Sequence, residues 1–205
     1  MKLYNGTSPN GLRVQVFLAE KGIEVPITPI DVMGGETQKP EYVAMNSLAE
    51  VPVLELDDGQ IITESLAICR YFEILNPQPS LMGVSAADQA QIEMWTRRME
   101  QQIFGPVSRI GLHEMAYFEY KLEQVPAYAA SSRREFPKRL AWLDQEISDG
   151  RPFIAGDDFS VADITGMAAV MVCGFLNIEI PEEFRSVHRW IASVTARPSW
   201  PSPPG

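Results

Sequence analysis

Histidine and cysteine are scarce in this chain, with two of each among 205 residues. His113 and His188 alone cannot build a histidine-rich metal centre, and no metal site is expected. Cys69 and Cys173 lie far apart inside apolar segments, with no CxxC. A disulfide framework or thiolate cluster is therefore not expected, and the pattern fits a reducing, cytoplasmic setting. Positive charge is also short: 17 Lys and Arg stand against 27 Asp and Glu, a net charge of -10. That balance argues against nucleic acid or an anionic membrane as the main partner, while leaving room for a local basic pocket for a small anion. No apolar run approaches transmembrane length, and the opening MKLYNG lacks the apolar core of a signal peptide. What is present is an ordinary globular content of 45% apolar residues. The length suits one large or two small domains.

The first 77 residues read as a mixed α/β segment. Lys2 to Asn5 is β-prone, and a helix follows to about Lys21, with Asn10 as its expected cap and Gly22 as its stop. Val25 to Val32 reads as a strand, which Pro26 and Pro29 mark as an edge or irregular one. A Gly-rich loop from Met33 to Lys39 and a short helical turn from Pro40 to Met45 come next. Val53 to Leu56 and Ile61 to Thr63, joined by Asp57-Asp58-Gly59, predict a hairpin. Ser65, expected as an N-cap, opens a helix to about Leu75. A strand leading into a helix N-terminus is a ready anion site. Main-chain groups beside Pro52 can pair with an extended ligand, so Glu50 to Ile68 reads as a peptide-binding stretch.

Asn76-Pro77-Gln78-Pro79-Ser80 breaks the pattern, and residues 78–85 read as a linker. Residues 86–205 carry no convincing strand. Ser85 with Asp88 starts a helix whose Trp95, Met99 and Ile103 form an apolar stripe, expected as core. Gly105-Pro106 should kink or interrupt it. Further helices are expected over Arg133 to Ile147, Phe159 to Phe175 and Phe184 to Ala196, with Pro198 to Gly205 as a frayed tail. Tyr117 to Tyr128 stays unassigned. The overall expectation is an α/β half followed by an all-helical half.

Several short motifs then occur in a telling order. They are Leu3-Tyr4 with Ser8-Pro9-Asn10-Gly11, Pro40-Glu41-Tyr42 with Asn46, Val51-Pro52-Val53-Leu54, Glu64-Ser65 with Ala67-Ile68, and Gly156-Asp157 with Phe159-Ser160-Val161-Ala162-Asp163. On these the chain resembles the soluble glutathione transferases, bacterial members most, from its start to about Pro198. The resemblance implies a thioredoxin-like N-terminal domain followed by an all-helical C-terminal domain. It also implies a cis Pro52, with the Val51 backbone pairing the cysteinyl part of glutathione. Glu64 and Ser65 would hold the γ-glutamyl end, the carboxylate suiting an ammonium and the helix start a carboxylate. Gln38 and Lys39 fall where relatives meet the glycyl carboxylate.

A thiol is mostly protonated at neutral pH, so a transferase must stabilise the thiolate. Ser8 and Asn10 are the joint candidates, with Thr7 next; Tyr4 reads better as a packed strand residue. Asp163, in a capping box with Ser160, is expected to be structural, and Cys69 and Cys173 to be buried. His113 is expected at the surface or facing the second-substrate cleft. The implied activity is conjugation of the glutathione thiolate to a hydrophobic electrophile, with glutathione as co-substrate and no other cofactor. The alternatives are a glutathione-dependent disulfide reductase or peroxidase, and a non-catalytic binding or regulatory module. A homodimer is implied, in which Glu100 is the candidate to reach the neighbour's γ-glutamyl ammonium.

Overall fold

The computed structural model describes residues 1–200. The chain divides into two compact units, Met1–Leu81 and a second beginning at Met82. The first contains β1 (Lys2–Asn5), α1 (Pro9–Lys21), β2 (Ile27–Pro29), a 3-10 turn (Glu36–Gln38), α2 (Pro40–Met45), β3 (Val53–Glu55), β4 (Ile61–Ile62) and α3 (Ser65–Leu75). The sheet order is β2-β1-β3-β4, with β1 parallel to β2 and the other two pairs antiparallel. β2 is shorter than the Val25 to Val32 expectation. Pro26, just before it, and Pro29, its last residue, lack the N–H that a longer ladder needs.

Each element has a local cause. α1 starts where Pro9, whose fixed φ suits a first helical position, follows Ser8. The Ser8 Oγ accepts the Gly11 N–H at 2.8 Å, so Ser8 rather than Asn10 is the cap. α1 stops at Gly22, whose φ of 62° lets its own N–H and that of Ile23 turn back to Ala19 and Leu18. On one sheet face Tyr42 of α2 packs with Val51 and Val53, and Tyr4 and Ile61 pack against them. Side-chain alternation sends the fully buried Leu3 and Leu54 to the opposite face.

α1 and α3 pack on each other and share a buried ion pair, Lys21 with Glu73. Lys21 Nζ also donates to the carbonyls of Asn76 at 2.7 Å and Pro79 at 2.6 Å. Glu73 accepts from Ser80 Oγ and the Leu81 N–H, both at 3.1 Å. The start of the expected linker is thereby fastened to both helices.

In the second unit α4 (Ala86–Arg98) passes through a π-helical turn (Met99–Phe104) into α5 (Gly105–Glu114). A 3-10 turn (Ala116–Tyr120), α6 (Pro126–Glu146), α7 (Val161–Phe175) and α8 (Arg185–Thr195) follow. The Ser85–Asp88 capping box opens α4 as expected. Pro106 offers no N–H to the Gln102 carbonyl, and the turn widens. Arg139 Nη1 of α6 donates to that carbonyl at 3.4 Å instead. α6 begins at Pro126, well before the expected Arg133. α7 is buried on every side from Val161 to Ala169, as a central helix must be. Trp190 of α8 sits so close to it that a Cβ at Gly166 would meet the indole at 2.8 Å. Of the expected C-terminal tail, residues 201–205 lie outside the described residues.

Candidate functional site

The chemistry-bearing residues of the first unit gather at two helix starts. At the start of α1, Ser8 keeps its hydroxyl proton, because its role as cap uses only a lone pair on Oγ. Gly11 is required here: a Cβ would lie 2.3 Å from Asn5 Oδ1 and 2.6 Å from the Gly6 carbonyl. Thr7 is exposed, and Asn10 stands half-buried in the first turn. Tyr4, by contrast, donates its hydroxyl to Glu55 Oε2 at 2.7 Å. That bond, with Lys2 beside it, holds the Glu55 carboxyl below its ordinary pKa. Tyr4 is therefore committed within the sheet.

At the start of α3 the expected cap is displaced. Glu64, not Ser65, occupies the cap position, makes no side-chain cap bond, and has φ 67° and ψ 116°. Such backbone strain at a non-glycine residue costs about 1–3 kcal/mol and concentrates at functional sites. Ser65 is the first helical residue and is buried. Arg13 Nη1 donates to its Oγ at 2.8 Å, and that Oγ in turn lies 3.5 Å from Asn10 Oδ1. Asn10 and Arg13, three apart on α1, thus meet Ser65 on one side. Arg13 is not among the residues that the sequence motifs single out. In sequence it shows only as a charge between Leu12 and Val14, on the buried face of α1.

The Val51–Pro52 peptide is cis, and a second cis bond joins Gln78 to Pro79. Val51 sits just before β3, outside the ladder that begins with Val53 opposite Tyr4. Tyr42 Oη at 3.0 Å and Asn46 Nδ2 at 2.8 Å both donate to the preceding Glu50 carbonyl and fix the approach to Val51. Burial pushes the Tyr42 hydroxyl up to about 12, so it stays a donor. Gln38 ends the 3-10 turn, and Lys39 Nζ is 3.1 Å from Glu36 Oε1, both side chains being exposed. The structure therefore joins Asn10 to Ser65 and turns Lys39 toward its own loop.

In the second unit, Trp95, Met99 and Ile103 are buried as core. Glu100 Oε2 is 3.2 Å from Arg97 Nη1 on the same helical run. His113 Nδ1 accepts the Val125 N–H at 3.1 Å and its ring meets Tyr128 edge-on. Asp163 completes the capping box with Ser160 and is fully buried.

These features are matched across the chain. The glutathione S-transferase N-terminal domain matches residues 1–73 and the C-terminal domain residues 106–198. The chain belongs to the glutathione S-transferase family. Glutathione S-transferase 2 of Saccharomyces cerevisiae is 34% identical over 195 residues, covering 93% of this chain and 83% of that protein. The crystal structure of Gtt2 from the same yeast superposes with a TM-score of 0.90 at 33% identity, over 97% of this chain and 98% of that one. A glutathione S-transferase domain-containing protein of Marinobacter aquaeolei VT8 gives 0.91 at 36% identity, over 98% and 100%. The first unit of this family member is its thioredoxin-like glutathione S-transferase N-terminal domain, and the helical second unit carries the C-terminal one. No helix among its described residues is long and apolar enough to cross a membrane.

Proposed function

We propose that this glutathione S-transferase family member binds reduced glutathione in its first unit and activates the thiol for attack on a hydrophobic electrophile. The observation that carries this reading is the start of α3, with strained Glu64 beside Ser65 held by Arg13. A position that costs stability and caps nothing is explained by a ligand. The γ-glutamyl carboxylate would meet Ser65 at the positive end of the helix, and Glu64 would take the ammonium. The Val51 main chain would pair with the cysteinyl residue. Gln38 and Lys39 would reach the glycyl carboxylate, for which Lys39 must leave Glu36.

Ser8 and Asn10 would stabilise the thiolate, Ser8 by its unspent hydroxyl proton and Asn10 by the amide N–H groups its contact with Ser65 does not use. The thiolate sulfur then forms a bond to the electrophilic carbon, and the leaving group departs with the electron pair. No protein thiolate competes, since burial pushes both Cys69 and Cys173 up to about 12. The account includes a cytoplasmic homodimer in which Glu100 faces the partner's site.

Calorimetry with reduced glutathione tests binding, and no heat of binding would end every glutathione-dependent reading, leaving a non-catalytic module. With binding established, release of chloride and thioether formation from a chlorodinitrobenzene are expected. Turnover of a mixed disulfide in its place would assign the reductase alternative. Ser8→Ala and Asn10→Ala should each lower turnover more than glutathione affinity. Equal losses would remove that residue from the thiolate.

A further inference from the structure

We propose that Arg13 is a positioning residue for the γ-glutamyl carboxylate, acting through the Ser65 hydroxyl; this rests on the glutathione reading above. Arg13 lies on α1, is 2% exposed, and donates to Ser65 Oγ at 2.8 Å. A serine hydroxyl has one proton and two lone pairs, and this bond occupies a lone pair. The proton must therefore be used on another side. Its acceptor in the structure is Asn10 Oδ1 at 3.5 Å, the outer limit of a hydrogen bond.

A carboxylate arriving at the start of α3 is a better acceptor than an amide oxygen at that distance, and it can take the proton. Arginine stays charged at any pH the protein meets. Its charge behind Oγ polarises the hydroxyl and adds to the positive end of α3, whose axis already favours an anion. Burial on α1 fixes the guanidinium, so Ser65 is set before the ligand arrives.

The reading separates Arg13 from Glu64. Glu64 is exposed and suits the ammonium, whereas Arg13 serves only the carboxylate. Removing Arg13 should accordingly matter only to ligands that carry that carboxylate.

Calorimetry with two ligands tests this. One is reduced glutathione; the other is 4-aminobutyryl-cysteinyl-glycine, the same tripeptide without the α-carboxylate. The Arg13→Gln variant is expected to lose roughly tenfold to hundredfold in glutathione affinity, the range for a hydrogen bond to a charged group. It should bind the analogue within about twofold of wild type, and Arg13→Gln added to a Ser65→Ala variant should cost glutathione little more than Ser65→Ala alone. Equal weakening toward both ligands would make Arg13 a structural residue and overturn the proposal, as would no weakening. If Arg13→Gln fails to fold, Arg13→Lys decides, since it keeps the charge but loses the guanidinium reach. A loss of about threefold or more confined to glutathione supports the proposal, and any other pattern rejects it. Wild type failing to bind glutathione would instead sink the glutathione reading itself.

Discussion

Truncating Asp163 to alanine should destabilise the second unit by about 3 kcal/mol at pH 7, a figure built from its four bonds. Oδ1 accepts the Ile154 N–H at 2.7 Å and the Trp190 Nε1–H at 2.9 Å. Oδ2 accepts the Ser160 N–H at 2.9 Å and the Ser160 hydroxyl at 3.2 Å. Alanine strands three N–H donors in a buried place, at about 1–3 kcal/mol each, while the hydroxyl can rotate. Against that stands relief of a buried carboxylate. Burial, opposed by the four donors, raises its pKa from 3.8 to about 6. A rise of that size corresponds to roughly 3 kcal/mol, which the variant recovers at pH 7.

The sign with pH follows. Between about pH 4 and 6 the folded chain holds the proton and the unfolded chain does not. The group's contribution therefore falls as pH rises through that window and is flat above it. Urea unfolding of wild type and Asp163→Ala, followed by circular dichroism at pH 4 and pH 7, measures both quantities. The wild-type advantage should be larger at pH 4 than at pH 7 by up to about 3 kcal/mol. A difference under about 1 kcal/mol at pH 7, or one that grows with pH, would refute the reasoning.

Three further outcomes follow from the first unit and the two thiols. Lys21→Met leaves the Glu73 carboxylate without its buried ammonium and should cost about 3–5 kcal/mol in urea unfolding. Adding Glu73→Gln should recover much of that loss, and no recovery would count against a charge effect. Glu64→Gly relieves the backbone at φ 67° and should raise stability by about 1 kcal/mol while weakening glutathione binding. A gain in both would detach the strain from the ligand. Cys69 and Cys173 should react with Ellman's reagent only on unfolding, since both are buried and their thiols are pushed up to about 12. Rapid reaction of the folded chain would show that one of them is accessible.

Much of the fold could be read in the residues, and its failures have local causes. α2 and α3 start and stop where their prolines, apolar spacing and flanking polar residues put them. The hairpin was visible from Asp57-Asp58-Gly59 between two apolar runs. At the start of α1 both Ser8 and Asn10 are cap-type residues, and Pro9 between them decides: proline at the first helical position makes Ser8 the cap. Pro126 likewise opens α6, well before the apolar spacing of Phe136, Leu140 and Leu143 makes the helix legible. The start of α3 departs from expectation for a different reason. Nothing in a Glu-Ser pair announces a positive φ at the glutamate, since that conformation is imposed by tertiary context. Lys21 and Glu73 are 52 residues apart, so their ion pair appears only when α1 and α3 meet. For the candidate site, sequence supplied Asn10, Val51, Glu64 and Ser65 as separate motifs. The Arg13 bond to Ser65 is not legible there: a charge between Leu12 and Val14 marks a buried arginine but not its partner, which lies 52 residues away on α3.

The central claim is that the first unit holds glutathione at Val51 and at the start of α3. A crystal structure of the chain with reduced glutathione tests it most directly. The account predicts the cysteinyl backbone paired with the Val51 main chain and the γ-glutamyl carboxylate within hydrogen-bond reach of Ser65 Oγ. It also predicts the sulfur facing the turn from Ser8 to Asn10. Glutathione bound elsewhere, or with its γ-glutamyl end turned away from Ser65, would contradict it.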